Sequence, residues 1–158
     1  MKITDNKQKK GMVDISSKKN TNRHAVASAR VKMSPKAFAA FLRAKSPKGD
    51  VLEAARVAGV LAAKATPSII PFCHPLELRK VEVSFDIDTE NFSVAVIVEA
   101  LYQGQTGVEM EALTAAAVAA LTIYDMMKWA DKGIVISDVM LLEKSGGKSG
   151  NFKRKKSI

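Results

Sequence analysis

The plainest pattern in the chain lies between residues 81 and 98. Val81, Val83, Phe85 and Ile87 alternate with Glu82, Ser84, Asp86 and Asp88, the period-two spacing of a strand with one buried face. Asp88-Thr89-Glu90-Asn91 supplies turn residues. Phe92, Val94, Val96 and Val98 then resume the alternation as a hairpin partner that runs on to Gly104. Upstream, small and β-branched residues from His24 to Met33 predict another strand. Ser34-Pro35 reads as a helix N-cap followed by a first-turn proline. Phe38, Phe41 and Leu42 form the apolar stripe of that helix, and Pro47-Lys48-Gly49 breaks it. Asp50 and Glu53 are spaced as a capping box for a second helix through Leu52, Ala55, Val60 and Ala63, which Thr66-Pro67 is expected to close. Three prolines, Pro67, Pro71 and Pro75, stiffen the loop that follows. Thr106 and Glu109 have the spacing of another capping box, opening a long helix to about Asp131. Gly133 stops it, and Ile134 to Glu143 predict the last strand.

The order is strand, broken helix, strand, strand, helix, strand. That is the βαββαβ pattern of an α+β, ferredoxin-like sandwich, an antiparallel sheet with helices on one face. The long helix is apolar nearly all round from 112 to 123. A helix that covers one sheet keeps a polar outer stripe, so this one is expected to pack against another subunit as well. Its apolar run of twelve residues falls short of the roughly twenty that a membrane span needs.

At 158 residues, 47% hydrophobic and 26% charged, the chain has material for one core without disulfide staples. Cys73 is the only cysteine, which excludes an internal disulfide and argues against a cysteine-based zinc site. No metal is expected, and a reducing, cytoplasmic setting fits. The first residues, Met1-Lys2-Ile3-Thr4-Asp5, do not read as a signal segment. The net charge of +9 invites a nucleic-acid reading, but its distribution opposes one. Residues 1–23 carry seven Lys/Arg and two Asp, residues 151–158 carry four Lys/Arg, and residues 24–150 carry fourteen of each sign. The expected organisation is therefore an irregular basic segment at 1–23, one ferredoxin-like domain at 24–150 and a basic, solvated tail at 151–158.

Candidate chemistry concentrates in three places. In Ile70-Pro71-Phe72-Cys73-His74-Pro75-Leu76 two prolines fix the backbone around a cysteine and a histidine, which reads either as a rigid ligand-facing wall or as a buried connector. The long helix carries Glu109 and Glu111 in its first turn and Asp125 and Lys128 near its end. An anion near a helix C-terminus opposes the dipole, and Lys128 shares its face. The pair is either a surface ion pair or an acid/base pair. Glu111 and Asp125 are fourteen residues apart, roughly 21 Å along the axis. If both serve one small ligand, two chains must supply them. Lysines are the third resource. Lys48 precedes a helix N-terminus, Lys64 lies near the far end of that helix, and Lys144 and Lys148 flank Ser145-Gly146-Gly147; together they suit a polyphosphate. Gly147-Lys148-Ser149 resembles the end of a Walker loop, but Leu142 holds the position of the required glycine.

Long blocks of the chain resemble one family. They are Met12-Val13-Asp14-Ile15-Ser16 with Lys18, Thr21 and Arg23; Lys48-Gly49-Asp50-Val51-Leu52 through Ala62-Ala63-Lys64 to Cys73-His74-Pro75-Leu76; Thr106-Gly107-Val108-Glu109-Met110-Glu111-Ala112-Leu113-Thr114 through Tyr124-Asp125-Met126 and Lys128; and Leu141-Leu142-Glu143-Lys144-Ser145-Gly146-Gly147-Lys148-Ser149-Gly150. These resemble the cyclic pyranopterin monophosphate synthases, also called molybdenum cofactor biosynthesis protein C. The resemblance implies a homohexamer, a trimer of dimers with active sites between subunits. It implies a cyclised dihydro-GTP substrate made by a partner radical S-adenosylmethionine enzyme, and release of pyrophosphate without a cofactor. It also implies that Asp125 is catalytic, with Lys128 and Lys48 beside it. Phe72, Cys73, His74, Met110, Glu111, Glu109, Lys64, Lys144 and Arg23 would line the substrate. The chain departs from the family pattern at Phe72, Met127 and Trp129, and Ala27-Ser28-Ala29-Arg30 lacks an expected glycine. The rival reading is a basic RNA-binding module on the same fold, which needs aromatics on the sheet face. The strand aromatics are Phe85, Phe92 and Tyr102.

Overall fold

The computed structural model describes residues 11–44 and 46–155. The first ten residues of the expected basic segment and the last three of the tail lie outside them. The elements are β1 (Thr21–Lys32), α1 (Pro35–Leu42), α2 (Val51–Ile69), β2 (Lys80–Asp88), β3 (Ser93–Gly104), α3 (Glu109–Met127), β4 (Val135–Ser145) and β5 (Phe152–Lys153). All strand pairs are antiparallel, in the order β2-β3-β1-β4-β5. The first four strands follow the ferredoxin-like order expected from the βαββαβ pattern. The short β5 is an addition, lying against the end of β4 at Glu143 and Lys144.

The alternation along the strands sorts the two faces. Ala25, Ala27, Ala29 and Val31 of β1 and Val94, Val96, Val98 and Ala100 of β3 are all buried beneath the helices. Alanine on the central strand lets α3 lie close to the sheet. The helix-to-helix contact is equally small-sided, with Ala55, Gly59, Ala62 and Ala63 of α2 near Ala112, Ala115, Ala116 and Ala119 of α3. A side chain added at Gly59 would meet Val83 Cγ2 at 3.1 Å and the Ala115 carbonyl at 3.3 Å. Each fully buried valine or isoleucine in this core, Ile123 among them, contributes about 1.5–3 kcal/mol relative to exposure.

Element ends depart from the sequence expectation in several places; the long helix, for one, ends at Met127 and not near Asp131. The first helix stops at Leu42, before Pro47, because Ala44 turns left-handed at φ 51 and its N–H bonds the Phe41 carbonyl. The second helix continues through Pro67 to Ile69. A proline there forfeits one backbone bond, while Thr66 Oγ1 bonds the Ala62 carbonyl and Ile70 N–H bonds the Thr66 carbonyl, closing the last turn. Thr106 does not cap α3. The cap position is Val108 and no side chain caps it, since the Glu109 carboxylate pairs with Lys144 instead. Phe92 precedes β3 at φ 53, its ring edge-on to Phe38 at 5.9 Å, and Asp88 accepts bonds from the Glu90 and Asn91 amides inside the turn.

The long helix α3 has 19 residues and a mean hydropathy of 1.3, long and apolar enough by those measures to cross a membrane. Half of it is buried against the sheet and α2, so the core accounts for much of its apolarity. Leu121 and Met110 of α3 and Val57, Leu61 and Ile69 of α2 remain exposed.

Candidate active site

The loop before α2 folds back onto the C-terminal end of α3. Ser46 Oγ donates to the Met126 carbonyl at 3.1 Å and accepts from the Lys48 amide at 3.2 Å. Gly49 takes φ 97, and Asp50 then caps α2 by accepting from the Glu53 amide at 3.0 Å. These bonds hold Lys48 over the last turn of α3. Its Nζ lies 2.5 Å from Asp125 Oδ2, and Lys128 Nζ lies 2.7 Å from Oδ1. Asp125 is thus gripped by two ammonium groups while its side chain stays 48% exposed. Hydrogen bonds from Lys128 and Lys48 hold its carboxyl down at about 2, and Asp125 in turn raises the ammonium of Lys128. At Lys128 the carboxylate outweighs the neighbouring cation, so the ammonium is held up and not pushed down. These groups share a cavity of 380 Å³ with Pro47, Tyr124, Trp129 and Lys132.

A second, larger cavity of 730 Å³ opens at the other end of α3. Lys18, Lys19, Thr21 and Arg23 form one side, Glu109 with Gln105 and Thr106 another, and the loop 144–151 the third. Lys144 Nζ is 3.0 Å from Glu109 Oε1 and 3.0 Å from Ser149 Oγ. Arg23 Nε donates to the Gly104 carbonyl at 3.2 Å. The loop presses on the start of β1, where Thr21 Oγ1 donates to the Gly146 carbonyl at 2.6 Å. Gly146 has φ 91 and any Cβ there would collide with the Asn22 carbonyl, so only glycine fits.

Glu111 lies one turn into α3 and is 3% exposed. Burial pushes its carboxyl up to about 7, and the charge of Glu109 adds to the shift. Burial also raises the Cys73 thiol, with a further push from the charge of Glu111. Within the proline-rich loop Cys73 and His74 are half-buried and Phe72 is exposed; Met110 and Lys64 also face solvent.

The structure therefore collects the predicted residues into two groups. Lys48, Asp125 and Lys128 form one. Arg23, Glu109 and Lys144, with Glu111 and Cys73 at the same end of α3, belong to the other. One chain does not unite them. Lys18, Lys19 and Tyr124 line the cavities without having stood out as site residues in the sequence; long-range folding brings Lys18 and Lys19 to Lys144, while Tyr124 and Trp129 flank Asp125 and Lys128 along the chain. The strand aromatics make no stacking platform. Phe85 lies under the guanidinium of Arg56 at 5.2 Å, and Phe92 packs on Phe38. By strand alternation the outward positions of β1 and β3 carry no Phe, Tyr or Trp, and the one imidazole there, His24, pairs with Glu99 at 2.9 Å, so an RNA-binding reading lacks its usual surface.

Comparison with known proteins bears on this arrangement. The model of the MoaC family matches residues 12–147. A cyclic pyranopterin monophosphate synthase of Desulfatibacillum aliphaticivorans is 53% identical over 148 residues, covering 94% of this chain and 93% of its own. Synthases of the same name from Pelotomaculum thermopropionicum and Syntrophomonas wolfei are 52% and 50% identical, covering 91% and 90% of this chain and 85% and 91% of their own.

Proposed function

The chain belongs to the MoaC family, and we propose on that footing that it acts as a cyclic pyranopterin monophosphate synthase in molybdenum-cofactor biosynthesis. It is a lyase. Its substrate is the cyclised dihydro-GTP, supplied by a radical S-adenosylmethionine enzyme in the cytoplasm. The observation that supports the chemistry best is Asp125 held between Lys48 and Lys128 at the rim of an open cavity.

The reaction opens a purine ring, recloses it as a pterin and forms a cyclic phosphate. In that last step a sugar hydroxyl attacks the α-phosphorus, its proton leaves with a base, and the bond to pyrophosphate breaks. Charge builds on the leaving pyrophosphate, so nearby cations lower the barrier. Lys48, Lys64, Lys144 and Arg23 serve that purpose. Asp125, held at about 2, stays anionic at neutral pH and orients the two ammonium groups. Lys128 is then the proton donor of the pair. Glu111, pushed up to about 7, exists near neutrality in both forms and meets the guanine-derived N–H edge. His74 with Phe72, Cys73 and Met110 shapes the wall against the base, and Glu109 keeps Lys144 in place.

The two groups stand at opposite ends of a 19-residue helix, about 25 Å apart along the axis. One nucleotide reaches both only where two chains meet, which suits the homohexamer, a trimer of dimers with sites between subunits, that the family likeness implies. The exposed apolar side chains on α2 and α3 suit such contacts.

Incubation of the purified protein with the cyclised nucleotide tests this through pyrophosphate release. Asp125→Asn and Lys48→Ala are each expected to lose about 10²-fold or more in turnover. Intact turnover in either variant would remove that residue from the chemistry.

A further inference from the structure

The carboxyl-terminal segment is built into the fold. Beyond Gly150, Phe152 and Lys153 pair with Lys144 and Glu143 as β5. Arg154 extends the attachment. Its amide donates to the Leu142 carbonyl at 2.7 Å, and its Nε donates to the Leu141 carbonyl at 2.9 Å. Its guanidinium stacks near the Phe152 ring at 5.8 Å, and Lys153 Nζ meets Glu143 at 2.9 Å. Between β4 and β5 the chain makes a tight loop, with Gly150 N–H bonded to the Gly147 carbonyl at 3.0 Å. This loop is one wall of the 730 Å³ cavity, and it sets Ser149 Oγ 3.0 Å from Lys144 Nζ. The loop is thus fastened at both legs, to β1 through Thr21 and to β4 through Arg154.

We propose that Phe152 and Arg154 are positioning residues for nucleotide binding, a clasp that holds loop 145–151 in the shape that completes the cation-lined cavity. A short loop closed at both ends keeps little conformational freedom. Releasing the β4 leg leaves the loop held at one side only, with more conformations to sample. Each binding event would then have to order the loop again, which weakens affinity without touching the reacting atoms. The segment acts here through geometry, and its surplus positive charge is secondary. The proposal rests on the lyase reading only for the identity of the ligand.

The test uses the full-length chain and steady-state kinetics with the cyclised nucleotide. Arg154→Ala combined with Phe152→Ala is expected to raise KM about tenfold while kcat stays within about twofold. Arg154→Lys, which keeps the charge and the backbone bond but loses the Nε geometry, should recover only part of the loss. Amide hydrogen exchange gives a readout independent of turnover: the amides of Gly150 and of position 154, which bond the Gly147 and Leu142 carbonyls, should exchange faster in the double variant while α3 stays protected. Unchanged KM and unchanged loop exchange would overturn the clasp. An equal KM increase in Lys155→Gln with Lys156→Gln would overturn it in favour of plain charge attraction. If the unmodified chain fails to turn over the nucleotide, the lyase reading falls, and the exchange measurement still decides the clasp.

Discussion

Asp125 and Glu111 sit on one helix and are displaced in opposite directions. Two ammonium groups solvate Asp125 and keep it charged, with its carboxyl at about 2. Glu111 has lost its water and gained no cation, so it holds its proton up to about 7. The consequences for stability have opposite signs. A carboxyl lowered in the folded state contributes stability above its unfolded value, and that contribution is lost as pH falls through about 2. A carboxyl raised in the folded state favours the native form while protonated, and stability is lost as pH rises from about 4.5 to about 7. For Glu111 the second effect amounts to about 3 kcal/mol. Glu111→Gln removes the titrating group, so urea unfolding of that variant should show a flatter pH dependence between 5 and 8. It should also show higher stability than the parent at pH 8. A variant that tracked the parent across this range would mean that Glu111 is hydrated in solution.

At the scale of elements, the approach of α2 to α3 controls where Lys48 falls relative to Asp125. Gly59 sits in the contact between the two helices, with Val83 and the Ala115 carbonyl in the way of any larger side chain. Gly59→Val would drive the helices apart, at a cost of about 1–3 kcal/mol. Chemical denaturation should show a lower midpoint with little change in slope. The loop between α1 and α2 then carries that spacing to the site, because Ser46 ties it to the end of α3 and Asp50 caps α2. Sequence spacing made both the Asp50 cap and the hairpin legible, since each depends on neighbours in the chain. The Thr106 cap failed because a more distant partner, Lys144, takes the Glu109 carboxylate.

For the whole molecule, the separation of the two residue groups yields a clean experiment. On the proposed reading of a site shared between subunits, Asp125→Asn and Lys144→Ala would each disable one half of it. Mixed and allowed to exchange subunits, the two inactive proteins should regain about a quarter of parental pyrophosphate release, because random pairing restores one intact site in each mixed dimer. Analytical ultracentrifugation should report the oligomer in the same samples. Absence of complementation despite demonstrated subunit exchange would mean that each chain carries its own complete site.

The sequence by itself determined the first four strands, the helices and their order, because period-two and helical patterning, caps and turns act over a few residues. It also exposed Asp125 as an anion at the wrong end of a helix, and through family likeness it named the lysines around it. Tertiary structure alone decided which charges meet. Lys48 and Asp125 are 77 residues apart in the chain and 2.5 Å apart in space, and Glu109 meets Lys144 across 35 residues. It also decided that Arg154 belongs to the folded sheet, since the carbonyls that hold it become available only once β4 is in place. Local patterning specifies elements, whereas ion pairs, burial and the pKa displacements that follow from them arise only where packing brings distant segments together and removes water.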